Sequence, residues 1–178
     1  MKFREKINLI IKEVKNSLSL INEEKVKKFI EIIKGAKRIF VLGQGRSGFI
    51  AKCFAMRLMH LGFLVYVVGE TITPGIKNGD LLIVCSSSGE KYLAREFAKL
   101  AKEKGTIVCA LTSLKISPLG RIADLVIQIP AEKFNTKQPP GSLFEQSLFL
   151  CLEGVILSLI KEMEITKGEM KNKHANLE

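Results

Sequence analysis

Histidine is almost missing from this chain of 178 residues: there are two, His60 and His174. The four cysteines, Cys53, Cys85, Cys109 and Cys151, lie far apart and form no C-x-x-C pair. That excludes a ligand cluster of metal-site spacing and a disulfide framework. Their apolar surroundings suggest reduced core cysteines of a cytoplasmic protein. Arginine is scarce as well, 6 of the 28 basic residues. There is no Arg-rich stripe with interleaved aromatics, so nucleic acid is not an expected partner. Lysines mixed with glutamates describe solvated helix faces instead, and Lys/Glu enrichment is also common in heat-adapted proteins. The net charge of +10 is uneven: residues 1–38 hold 11 basic and 5 acidic residues. Such a charge can steer an anionic substrate. No repeat, low-complexity segment or linker divides the chain. The first residues do not read as a secretory signal, because charges keep interrupting the apolar ones. The nearest approach to a membrane span, residues 144–160, contains Glu145, Gln146 and Glu153 and reads as a buried helix.

What the chain does have centres on residues 80–92. Leu81-Leu82-Ile83-Val84-Cys85 is a continuous apolar run of strand length, as expected for a strand buried on both faces of a parallel sheet. It ends at Ser86-Ser87-Ser88-Gly89-Glu90-Lys91, and a helical pattern follows in which Tyr92, Leu93, Phe97, Leu100 and Ala101 share one face. A strand-to-helix junction exposes unpaired N–H groups at the positive end of the helix dipole, which suits an anion such as phosphate. One serine there would be an ordinary N-cap. Three in a row before a glycine exceed what capping requires.

The remaining elements alternate. Residues 3–34 read as two helices, the first with the stripe Ile7, Ile10, Ile11, Val14 and Leu18, the second with Val26, Phe29, Ile30 and Ile33. Asn22 is the expected N-cap of the second and Gly35 its stop. Strands are expected at 38–42, 63–68, 81–85, 106–111 and 125–129, with helices at about 47–61 and 92–104 between them. A polar loop, 130–141, leads to a long helix at 143–160 and a short helical tail. This pattern predicts one α/β domain, a doubly wound five-stranded parallel sheet of order 2-1-3-4-5. The N-terminal helices would span 1–35, the sheet core 36–130 and the C-terminal helices 140–178.

A second glycine loop, Gly43-Gln44-Gly45-Arg46-Ser47-Gly48, follows the first strand. Alone it is a dinucleotide fingerprint, with Glu70 after the second strand as ribose ligand. Arg46 and Ser47 put a cation and a hydroxyl where bare backbone is usual. In the expected strand order the loops at 43–48 and 86–91 face each other across one crevice, which suits one small phosphorylated molecule better than a long dinucleotide.

These residues resemble the sugar isomerase (SIS) domain family and, within it, the 6-phospho-3-hexuloisomerases, over nearly the whole chain. The resemblance rests on residues 43–48, Cys53–Gly62, Val68-Gly-Glu-Thr-Ile-Thr-Pro74, Gly141-Ser-Leu-Phe-Glu145 and the ending His174-Ala-Asn-Leu-Glu178. The phosphate loops are common to SIS proteins, and the other stretches are more specific. One departure is Lys91, which stands where the family carries threonine. It either replaces the hydroxyl with a charge or points to solvent.

Ketose isomerisation needs a base beside a carbonyl and donors for the enediol. Asp80 and Asp124 precede strands, at the wrong edge of the sheet. Glu145 instead opens an apolar helix, although Ser142-Leu-Phe-Glu145 also has the S-x-x-E spacing of a capping box, and spacing alone favours the cap. The resemblance implies that Glu145 is the base and that His174 assists from a neighbouring subunit; His60 is assigned no chemistry. It further implies interconversion of D-arabino-hex-3-ulose 6-phosphate and D-fructose 6-phosphate in the ribulose monophosphate pathway, by a homotetramer with shared sites. The implied substrate-binding residues are Gly45, Arg46, Ser47, Ser86, Ser87, Ser88, Gly89, Glu90 and Lys91. No metal, cofactor, nucleic acid or membrane is implied. Rival readings are an arabinose 5-phosphate type isomerase and a sugar-phosphate-sensing module.

Overall fold

The computed structural model describes residues 2–176, so the last two residues of the tail motif, Leu177 and Glu178, lie outside the described residues. Five parallel strands form one sheet in the order β2-β1-β3-β4-β5. They are β1 (Ile39–Gly43), β2 (Val65–Val67), β3 (Leu81–Cys85), β4 (Ile107–Thr112) and β5 (Leu125–Gln128). The order and the parallel pairing are those expected from the alternating pattern. β3 lies in the centre and is buried along its whole length. That is why its sequence is apolar without alternation. The second strand is shorter than the expected 63–68, because β2 is an edge strand with one neighbour and half-buried residues throughout.

Two layers cover the sheet. On one face α2 (Glu23–Gly35), α3 (Arg46–Leu61) and α6 (Ser142–Glu162) enclose a core of Phe29, Ile33, Val41, Phe54, Leu58, Ile83, Phe144 and Leu148. α1 (Phe3–Leu18) packs on α6, and Asn22 caps α2 as expected, accepting from the Lys25 amide at 2.9 Å. The other face carries α4 (Tyr92–Glu103) and the short α5 (Pro118–Ile122), an element without a periodic signal. The β2–β3 connection, residues 68–80, crosses without a helix. A turn at Ala131–Lys133 and a last helix, α7 (Lys167–Asn172), complete the chain.

Three expectations need correction. α4 does not bury Tyr92, Leu93, Phe97 and Leu100, which are exposed; it buries Ala94, Ala98 and Ala101. Small side chains let the helix axis approach the sheet closely, and the bulky stripe beside them is left facing outward. Cys53 is exposed on α3, whereas Cys85 and Cys109 are core residues whose thiols burial pushes up to about 12. Ser142 is the first residue of α6 and not its N-cap; Gly141, in the left-handed conformation, takes that place. The capping box therefore does not form, and the Glu145 side chain is free for another partner.

At the N-terminal edge of the sheet, Asp80 is fully buried against Arg38, at 2.9 Å from Nε and 2.5 Å from Nη2, and accepts a third bond from the Lys77 amide at 2.8 Å. Asp124 likewise holds Lys102 and the Val108 amide. Both acids belong to the edge opposite the strand ends where ligands bind. α6 is the one helix among the described residues long and apolar enough to cross a membrane, and half of it is buried inside the fold.

Candidate functional site

Gly43 and Cys85, the last residues of β1 and β3, are direct register partners. The two polar loops therefore leave the sheet side by side. A Cβ on Gly43 would approach the Gly48 N and Cα to 2.9 Å, so bare glycine lets the chain turn directly from β1 into α3. The second loop is tied from behind. The Ser87 carbonyl accepts from the Ser113 amide at 2.9 Å and the Thr112 hydroxyl at 2.8 Å, and the Gly89 carbonyl accepts from Leu119 at 3.0 Å. α5 and the end of β4 thus brace the loop, a role that no sequence signal in residues 112–119 announced. With these carbonyls turned back, and the Ser87 hydroxyl donating to Ser113 Oγ at 3.4 Å, Ser86, Ser88 and the N-terminus of α4 are presented to the crevice.

Between the loops lies a cavity of about 240 Å³, lined by Gln44, Ser47, Ser86, Ser87, Ser88, Lys91 and Glu145, with Cys85 and Ala94 beneath. It is smaller than the ~300–1,000 Å³ typical of larger ligand clefts, and suits one small phosphorylated molecule. Ser47 and Ser86 are buried in it. Ser88 Oγ accepts from the Glu90 amide at 3.2 Å, which leaves its hydroxyl proton to donate. Lys91 borders the cavity at the N-cap of α4 and makes no capping bond with its side chain. Gly45, Gly89 and Glu90 belong to the loop backbones without lining the cavity, and Glu90 is exposed. Gln44, which sequence reasoning passed over as the variable residue between two glycines, does line it.

Glu145 enters from the first turn of α6, whose N-terminus points at the same crevice. Its amide bonds to the Gly141 carbonyl at 3.0 Å, and its Oε2 accepts from Arg46 Nε, the first residue of α3. Glu70 is not turned toward the cavity chemistry, since it pairs with Lys52 on the surface at 2.6 Å. His174 is elsewhere. Its ring stacks on buried His60, with centroids 4.1 Å apart, in the last turn of α3. That point is about 21 Å along the helix from Arg46, at 1.5 Å per residue, so His174 does not reach the cavity of its own chain. Among the described residues no group of three or more His, Cys, Asp or Glu has metal-site geometry.

Comparison with known proteins gives a consistent result. Residues 32–152 match the family model of the SIS domain. The chain is 42% identical to the 3-hexulose-6-phosphate isomerase of Bacillus subtilis, with 100% of both chains covered. It is 40% identical to the protein of the same name from Mycobacterium gastri, covering 97% of this chain and 89% of that one. It superposes on the crystal structure of a Methanococcus jannaschii protein with a TM-score of 0.87 at 36% identity, over 98% of this chain and 99% of that one. The molecular function inferred for that protein is 3-hexulose-6-phosphate isomerase.

Proposed function

The chain belongs to the SIS-domain family, and from that premise we propose that it is a sugar-phosphate isomerase interconverting D-arabino-hex-3-ulose 6-phosphate and D-fructose 6-phosphate. The observation that carries this reading is the single cavity in which two hydroxyl-bearing, phosphate-type loops meet one carboxylate. Similarity over the full length to isomerases of this name supports the particular substrate.

In this reading the 6-phosphate lies against Ser86, Ser87 and Ser88, the loop amides around Gly89 and Glu90 and the start of α4, with Ser47 opposite and Lys91 adding charge at the rim. Charged ligand oxygens strengthen such bonds, and the helix N-terminus favours the anion. Glu145 then takes the proton from C2, next to the C3 carbonyl. The enediol is a shared intermediate, and returning the proton to C3 leaves the carbonyl at C2. The shift is internal, with no net oxidation, so it calls for no external hydride acceptor. His174, brought by a partner subunit of a cytoplasmic homotetramer, assists by moving the hydroxyl protons.

The test supplies the hexulose phosphate in situ from its synthase and follows fructose 6-phosphate. Rapid formation that depends on the protein is expected, with arabinose 5-phosphate turned over poorly. Preference for arabinose 5-phosphate, or binding without turnover, overturns the reading.

A further inference from the structure

We infer that Arg46 is a positioning residue that aims the Glu145 carboxylate, and not a ligand of the substrate's phosphate. This rests on Glu145 being the base. The first observation is electrostatic. Arg46 is the first residue of α3, at the positive pole of the helix, where a cation is unfavourable and a carboxylate would be preferred. A cation in that place needs a compensating anion, and its Nε donates to Glu145 Oε2 across the crevice. The second is the asymmetry of the pair: the Arg46 side chain is 68% exposed and that of Glu145 13%. The guanidinium reaches in from solvent to a carboxylate already seated in the fold. It does not line the cavity in which the serines meet.

The third observation is which oxygen is held. Arg46 engages Oε2, while Oε1 is the oxygen nearer to Gly141, 3.4 Å from where a Cβ there would stand against 4.0 Å for Oε2. Among the described residues Oε1 takes no hydrogen bond. One oxygen is therefore anchored and the other is left to carry a proton between two adjacent carbons. A planar guanidinium fixes the plane of a carboxylate as well as its position, which an ammonium cannot do. α3 and α6 pack against each other through the core, so the backbones that carry the two side chains are held at a fixed spacing.

The experiment compares kcat and KM for fructose 6-phosphate formation in Arg46→Ala, Arg46→Lys, Glu145→Gln and the double variant Arg46→Ala/Glu145→Gln. Misaiming a reacting group by an ångström costs up to about 100-fold, so Arg46→Ala is expected to lose roughly 10- to 100-fold in kcat with KM nearly unchanged. Arg46→Lys keeps the charge without the planar fork and should fall between Arg46→Ala and wild type. Millimolar guanidinium, far below denaturing levels, should restore kcat to Arg46→Ala in a saturable way and leave the double variant unchanged. The double variant should be no slower than Glu145→Gln, since two residues acting as one unit are not additive. A raised KM with normal kcat in Arg46→Ala would make the arginine a phosphate ligand and overturn the inference. So would losses that multiply in the double variant, or the absence of guanidinium rescue. If Glu145→Gln is inactive while Arg46→Ala is normal, positioning alone fails; if Glu145→Gln turns over normally, the base assignment fails and the inference with it.

Discussion

Glu145 lines the cavity between the two loops and is held there by Arg46. The S-x-x-E pattern favoured a cap, yet Gly141 occupies the N-cap position and the carboxylate turns to Arg46 instead. Glu145→Gln keeps the size of the side chain and removes the proposed base. Turnover is expected to fall by about 10²–10⁴-fold, as for a lost general base. Stability should barely change, because the partner Arg46 is solvent-exposed and such pairs contribute little. An active but early-melting variant would make Glu145 structural. Gly141 offers a complementary test. Its φ of 84° disfavours any side chain, and a Cβ would come into van der Waals contact with the Glu145 carboxylate, so relief of the backbone strain would be felt there. Gly141→Ala should therefore lower both melting temperature and kcat, whereas a loss of stability alone would separate this glycine from catalysis. In the phosphate loop, Ser88→Ala removes a charge-assisted bond worth about 1.5–3 kcal/mol, so KM should rise roughly 10- to 100-fold with kcat kept. Unchanged KM would put the phosphate elsewhere.

Among the elements, legibility followed the strength of the local signal. β3 and both loops were readable because a doubly buried strand leaves an unbroken apolar run and a strand-to-helix junction shows its glycines and hydroxyls. The strand order then brought Ser47, Ser86 and Ser88 together as expected, and α6 adds Glu145 to the same cavity. α4 was misread because Leu93, Phe97 and Leu100 outweigh Ala94, Ala98 and Ala101 in hydrophobicity, while helix-to-sheet distance selects the smaller stripe. α5 was invisible: five residues carry no period, and its role is to brace a neighbouring loop. The acids that precede β3 and β5 lie at the edge of the sheet away from the cavity, and their place suggests a test at this scale. Burial alone would raise the Asp80 carboxyl, but the bonds from Arg38 and the Lys77 amide outweigh it and hold the group below its ordinary 3.8. A depressed folded value means that Asp80 stabilises β1 and β3 fully above its ordinary unfolded value. The contribution is lost as pH falls through the lower folded value. Asp80→Asn should melt earlier than wild type at pH 7, with the gap closing toward pH 3 in thermal scans. A gap that stays constant across that range would show that the charge of Asp80 does not matter.

The whole molecule leaves apolar surface that one chain does not cover. Phe97 and Leu100 border a shallow pocket with Phe40, Leu82 and Pro74, on the side where the β2–β3 connection brings no helix. Phe49 and Met56 on α3, and Phe149, Leu150 and Leu157 on α6, are exposed as well. Surfaces of this kind mark association sites. The stack of His174 on His60, at the end of α3 far from the cavity, restricts how a shared site can be built. If a two-fold axis ran α3 antiparallel to its copy, it would set the Arg46 end of one chain beside the His60 end of the other, and His174 would serve a partner without leaving its stack. The proposed trans role then makes a quantitative prediction. Glu145→Gln and His174→Ala chains should each be nearly inactive alone. Unfolded together in equal amounts and refolded, they form some sites with an intact Glu145 from one chain and an intact His174 from the other. With random pairing and one residue from each of two subunits, recovered activity should approach about a quarter of wild type. Mixed oligomers verified by differential tags but without activity would sink the shared site, and so would a monomeric variant that retains full turnover.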